Sequence, residues 1–174
     1  MAERVYIGLG SNLDDPLAQV TKAVTELAAI ANTKVVAVSP WYQSTPIGPE
    51  QPDFINGVAA LETELSPIAM LDALQAIEQD HQRVRDIHWG PRTLDLDLLL
   101  FGDACIDSPL LTLPHPHIAA RDFVLVPLLQ IAPDACDPIS AVPYAHHLKQ
   151  LRAAELPAVA ELTLPMTQHH ARAH

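Results

Sequence analysis

The stretch TLDLDLLLF, residues 93–101, reads as a strand with one unusual face. Strand side chains alternate, so Leu94, Leu96, Leu98 and Leu100 fall on one face and Thr93, Asp95, Asp97 and Leu99 on the other. The leucine face reads as core. The other face sets two carboxylates side by side, their Cα atoms about 6.6 Å apart from the strand rise. At an effective dielectric of about 20, carboxylates ~6 Å apart repel by roughly 3 kcal/mol. Either water screens the pair on a solvated face, or a cation offsets it. Mg²⁺ suits the second reading, because it takes hard oxygen ligands and keeps several waters. The spacing alone leaves both readings open.

The surrounding chain narrows the choice. Its 174 residues fit one domain with a sizeable core, and 49% of them are apolar. A net charge of −11 argues against broad binding to nucleic acid or anionic membranes. Between residues 35 and 148 the only Lys or Arg residues are Arg83, Arg85, Arg92 and Arg121. Three of these cluster just ahead of the carboxylate strand. They could pair locally with Glu78, Asp80 and Asp86, or they could receive an anionic ligand such as a polyphosphate. The cysteines, Cys105 and Cys136, form no CxxC, so buried or half-buried free thiols are expected. There is no signal-peptide pattern and no apolar run near the ~18 residues of a membrane span, which reads as a cytoplasmic protein.

Working outward, Val5, Ile7 and Leu9 alternate as a first strand. GLGSNLDDP follows and reads as a strand-to-helix turn. It lacks the third glycine of a dinucleotide fingerprint and the GK[ST] of a phosphate loop. Asp15 with Pro16 signals a helix start, and Leu17, Val20, Val24, Leu27 and Ala28 make its stripe. Residues 34–43 read as a second strand, 44–53 as a loop and 54–65 as a third strand. Ser66-Pro67 starts a second helix whose stripe is Ile68, Leu71, Leu74, Ile77 and Glu78. Residues 82–92 read as a polar loop. After the carboxylate strand come a short hairpin near 104–112, a proline-rich turn, a helix over 119–131 and a short helix at HHLKQL. The order strand, helix, two strands, helix, strand is the split βαβ pattern. It predicts an α+β, ferredoxin-like fold: a mostly antiparallel sheet flanked by helices, over 1–152, with a loosely ordered tail over 153–174.

HWGPRTLDLDLLLFG, residues 88–102, resembles the signature of the 6-hydroxymethyl-7,8-dihydropterin pyrophosphokinase family of folate biosynthesis. The resemblance includes GLGSN at 8–12, YQSTPIG at 42–48, QPDFIN at 51–56, QRVR at 82–85, LPHP at 113–116 and RDF at 121–123. It implies a transferase that moves pyrophosphate from ATP to the pterin's hydroxymethyl group and releases AMP. It implies that Asp95 and Asp97 bind magnesium, two ions in the family, and that Arg83 and Arg92 are catalytic. ATP contacts carry over to Arg85, Trp89, Leu98, Thr112, His115 and Arg121. On the pterin side the resemblance places stacking rings at Phe54 and Phe123 and a hydrogen-bonding amide at Asn56. Ser44, Thr45 and Ile47 complete that recognition, mainly through backbone. The loop 82–92 is expected to close over the loaded site. Departures from the family pattern are Gln82 in place of a frequent glycine, Asp86 and His88 in the loop, Ser44 for a threonine, and Phe54 for a tyrosine seen in some relatives. None removes a catalytic group.

Two rivals share some of these features. Glycosyltransferases use an Asp-x-Asp pair to hold a metal and a sugar nucleotide, though 174 residues is short for that fold. A binding module that lost turnover would keep the cleft but would not need the full set of Asp95, Asp97, Arg83 and Arg92. The expected protein is a monomer with ATP and the pterin as its partners.

Overall fold

The computed structural model describes residues 2–12, 15–44, 54–85 and 94–153, with residues 83–85 as backbone. Strand β1 (Glu3–Ser11) leads to helix α1 (Pro16–Ala28), then strands β2 (Thr33–Val38), β3 (Tyr42–Ser44) and β4 (Phe54–Thr63). Helix α2 (Pro67–Arg85) precedes the carboxylate strand β5 (Asp95–Phe101). Two short strands, β6 (Ile106–Asp107) and β7 (Thr112–Leu113), form a separate hairpin. Helices α3 (Asp122–Ile131) and α4 (Tyr144–Ala153) close the described chain. The main sheet has five strands in the order β2-β4-β1-β5, with β3 continuing beside β4, and every pairing in it is antiparallel. This is the split βαβ order read from the sequence.

The helix starts follow their sequence signals. Asp15 accepts from the Ala18 backbone N–H at 3.4 Å, and Pro16 occupies the first turn, where an N–H has no helical partner. Ser66 Oγ likewise accepts from the Ala69 N–H at 3.2 Å. Helices α1 and α2 cover one sheet face. Val20, Ala23 and Leu27 of α1 and Met70, Leu74 and Ile77 of α2 pack on Val5, Ile7, Leu9, Ile55, Ala59, Leu61, Leu96 and Leu98. The other face is covered by α3 and α4, whose Val124, Leu125, Leu128 and Tyr144 pack on Val58, Leu99 and Leu100. Helix α3 is apolar nearly all round, as a helix sunk between a sheet and a second helix should be.

Several expectations shift. Residues 34–43 form two strands rather than one. Pro40 lacks an N–H, and Ser39 both donates its N–H to Val58 O and accepts the Val58 N–H on Oγ, each at 2.9 Å. Trp41 then tucks under Gly57, where a Cβ would come within 2.5 Å of its ring. In β5 the alternation breaks. Tyr6 pairs with Leu100 and Ile7 with Leu98, so Leu99 is an extra residue. Leu100 therefore joins Leu99 on the α3/α4 face, and Phe101 takes its place among the leucines. The GLGSN segment is not a turn: Gly8 to Ser11 are the end of β1. Residues 82–85 extend α2 instead of starting a loop, while 86–92 and the expected loop closure lie outside the described residues. The expected stripe of α2 is rotated: Ile68 is 41% exposed, and the buried side runs through Met70, Leu74, Ile77 and His81. The helix over 119–131 is a 3₁₀ turn at Ile118–Ala120 followed by α3. Cys105 and Cys136 are free but exposed, not buried. The tail from 154 onward lies outside the described residues. Among the described residues no helix is long and apolar enough to cross a membrane.

Candidate active site

One end of the α3/α4 sheet face collects the polar groups. Strand register places Tyr42 opposite Asn56, Asn56 opposite Gly10, and Gly10 opposite Asp95, one row across four strands. Directly paired residues project to the same face. The next row is Val58, Gly8 and Asp97, and beyond Tyr42 lie Ser44 and Phe54, also paired. With strands about 4.8 Å apart, Asn56 and Asp95 stand roughly 10 Å apart at Cα, with a glycine between them. That glycine has a structural reason: a Cβ on Gly10 would lie 3.0 Å from Asn56 Oδ1. The face is thus a shallow trough with an amide at one side and two half-buried carboxylates at the other.

Asn56 is 6% exposed, and its Nδ2 donates to Ser44 Oγ at 2.7 Å. The hydroxyl thereby turns the amide oxygen toward Gly10. On the carboxylate side, the His115 N–H donates to Leu99 O at 2.9 Å, which seats the 113–117 turn along β5. His115 Nδ1 accepts from the His117 N–H at 3.2 Å, so in the neutral ring the proton sits on Nε2. Burial lowers the His115 pKa below the ordinary imidazole value. The Asp97 carboxylate opposes that shift, while Arg121 and His117 add to it. Asp97, His115 and Arg121 therefore sit within electrostatic reach of one another. The Arg121 guanidinium carbon lies 5.7 Å from the centre of the Phe123 ring, a cation–π distance. Phe123 opens α3 and is partly buried against Tyr42 and Val126; Phe54 is half-buried on β4.

The strand register thus puts Asp95, Asp97, Phe54, Asn56 and Ser44 on one sheet face, with His115, Arg121 and Phe123 beside it. From the sequence only Asp95 with Asp97 and Phe54 with Asn56 could be placed together. The Leu98 side chain points the other way, into the α1/α2 core, which leaves only its backbone for the site. Thr112 is exposed on β7. Arg83 and Arg85 end α2, and their side chains are outside the description. Arg92, Trp89, Thr45 and Ile47 lie outside the described residues. Sequence reading missed the floor glycines, Gly8 and Gly10, although their period-2 spacing opposite Leu9 was a signal. It also missed Glu78, whose Oε2 accepts the Leu96 N–H at 2.8 Å and ties α2 to the residue between the two aspartates.

A magnesium ion fits this donor set. Among the described residues no third carboxylate, histidine or cysteine joins Asp95 and Asp97 in a metal-binding group. Mg²⁺ is commonly held by one or two carboxylates, with water and substrate phosphates filling the remaining positions.

The sequence profile of the 7,8-dihydro-6-hydroxymethylpterin-pyrophosphokinase (HPPK) family matches residues 6–133. The chain belongs to the HPPK family. It is similar to a Pseudomonas aeruginosa protein named 2-amino-4-hydroxy-6-hydroxymethyldihydropteridine pyrophosphokinase, with 53% identity over 155 residues, 88% of this chain and 93% of that one. A Haemophilus influenzae protein of the same name is 49% identical over 138 residues, 79% and 86% of the two chains. Among solved structures, an HPPK-DHPS in complex with substrates superposes with a TM-score of 0.70 at 13% identity, covering 93% of this chain and 49% of that chain. A wild-type Plasmodium falciparum HPPK-DHPS with pterin and p-hydroxybenzoate gives a TM-score of 0.68 at 12% identity, covering 93% and 48%. The chain shares their fold and spans about half their length. The family read from the motifs is borne out, and the glycosyltransferase reading falls with it.

Proposed function

We infer that this protein transfers the terminal pyrophosphate of ATP to 6-hydroxymethyl-7,8-dihydropterin, a step of folate biosynthesis, and acts as a cytoplasmic monomer. The observation that carries the assignment to this trough is the row Asn56, Gly10, Asp95 with Asp97, His115 and Arg121 beside it. It offers an amide for a heterocycle's polar edge at one side and a cation site with anion-binding groups at the other. The pterin hydroxyl oxygen attacks the β-phosphorus, the bond from that phosphorus to the α,β-bridging oxygen breaks, AMP leaves and the hydroxyl proton is released.

Asp95 and Asp97 would hold Mg²⁺, which when bound would supply positive charge against the phosphate oxygens. His115, neutral through burial, donates its Nε2–H to a phosphate oxygen without adding a charge to balance. Arg121 faces the same anion, and Arg83 and Arg92 supply forked donors where charge develops. Arg85, Trp89, Thr112 and the backbone of Leu98 complete the ATP contacts. Phe54 and Phe123 stack on the pterin. Asn56, held by Ser44, reads its edge together with backbone at Thr45 and Ile47.

The test is to mix protein, ATP, Mg²⁺ and the hydroxymethyl dihydropterin and separate the nucleotides. AMP and pterin diphosphate in equal amounts are expected. ADP as the product, or no pterin-dependent AMP, would overturn the reading. Light scattering on the eluting protein checks the monomer.

A further inference from the structure

His81 is 2% exposed on α2, yet the site described above makes no use of it. Its two ring nitrogens reach across to α1. Nε2 donates to Glu26 Oε1, 2.5 Å away, and Nδ1 lies 2.5 Å from the terminal amide of Gln19, whose NH₂ is the donor to the unprotonated ring nitrogen. Gln19 and Glu26 are about two helical turns apart, so one imidazole bridges two turns of the neighbouring helix. An apolar side chain would fill the same space, as Met70, Leu74 and Ile77 do on the preceding turns. Apolar contact is non-directional and tolerates sliding or rotation of one helix on another. Two directed hydrogen bonds do not.

The placement along the helix gives this lock a consequence. One turn earlier, Glu78 holds the Leu96 N–H between Asp95 and Asp97. Two residues later comes Arg83, whose Cα lies about 3 Å further along the helix axis. The last turns of α2 are therefore fixed from two sides, to β5 through Glu78 and to α1 through His81.

We propose that His81 is a positioning residue: its bonds to Gln19 and Glu26 fix the end of α2, and so the point from which Arg83 is delivered, relative to the Asp95–Asp97 strand. The inference rests on the reading above that Arg83 acts on the transferring group. A displacement of about 1 Å at a reacting centre can cost on the order of a hundredfold in rate. Loss of the lock should accordingly lower turnover while leaving the pterin trough, on the opposite sheet face, as it was.

The experiment is a cycle of His81→Phe, Arg83→Ala and their combination, with Glu26→Leu as a second route to the same lock. Glu26 is only half-buried and is not among the side chains that build the α1/α2 core, so its replacement removes the bond to His81 without emptying that core. AMP release is measured together with pterin affinity by calorimetry. Expected are a loss of about ten- to a hundredfold in kcat for His81→Phe and a smaller loss for Glu26→Leu, with pterin Kd unchanged in both. In the Arg83→Ala background, His81→Phe should cost less than about twofold, because the group it positions is gone. Equal losses in both backgrounds, wild-type kcat in Glu26→Leu, or a parallel weakening of pterin binding would overturn the proposal. Undiminished turnover in Arg83→Ala would instead overturn the reading of Arg83 on which it stands.

Discussion

Asp95 and Asp97 carry like charges on neighbouring positions of one strand face. Replacing either with alanine should remove nearly all pterin-dependent AMP production at millimolar Mg²⁺. Thermal stability should hold or rise, because a repulsion of order 1 kcal/mol or more is relieved. Near-wild-type turnover by either variant would end the metal assignment. His115 supplies a second residue-level prediction. Its folded-state pKa lies below the ordinary value of 6.5, chiefly through burial. Between the two values the unfolded chain binds the proton and the folded chain does not. Stability therefore rises with pH through that window and is lost as pH falls through it. Proton NMR of the His115 ring in metal-free protein should show the depressed titration. Asp97→Asn should depress it further, since that carboxylate is the group favouring the charged ring. An upward shift in Asp97→Asn would contradict the geometry.

At the level of elements, β5 is an edge strand of the main sheet that is nonetheless held along its outer side. Glu78 takes the Leu96 N–H, and the His115 N–H takes the Leu99 carbonyl. Such contacts occupy edge groups that would otherwise invite pairing with another chain. Helix α3 meets the opposite corner of the sheet and brings Phe123 toward the trough. Phe123→Ala should weaken pterin binding more than ATP binding. Loss of one stacking face at about 1–3 kcal/mol, as for aromatic stacking on nucleobases, corresponds to roughly five- to 150-fold. Equal losses for both ligands in calorimetry would mean that the ring acts as core. The break between β2 and β3 depends on Trp41 lying beneath Gly57. Gly57→Ala would force the ring aside and should cost about 1–3 kcal/mol in urea unfolding. Turnover of the folded fraction should persist, because Gly57 faces away from Asn56.

Over the whole molecule, one sheet separates two cores. Leu74 on α2 belongs to one and Leu125 on α3 to the other, and both are fully buried. Each change to alanine should cost about 2–5 kcal/mol. Because β1, β4 and β5 contribute side chains to both cores, both variants should move a single shared transition, with near- and far-ultraviolet circular dichroism coinciding. Separate transitions for the two faces would show that the cores melt independently. The division also explains the location of the site. The α1/α2 face is filled by side chains along the described strands. On the other face, Gly8 and Gly10 leave one end thinly covered, and the polar groups gather there.

The sequence by itself determined the split βαβ order, the two helix starts at Asp15-Pro16 and Ser66-Pro67, and the paired carboxylates of β5. These are local properties of period, capping and turn chemistry, readable one residue after another. The family followed from motif order over most of the chain. Tertiary structure decided what depends on partners far away in sequence. The Leu99 bulge that turns Leu100 to the second core arises from pairing with Tyr6 and Ile7, and alternation within β5 alone contains no trace of it. The burial of His81 depends on Gln19 and Glu26, 62 and 55 residues distant. Gly10 read as a turn residue until Asn56 stood beside it. Burial and hydrogen bonding belong to pairs of groups, and only the folded chain brings the second member of each pair into contact.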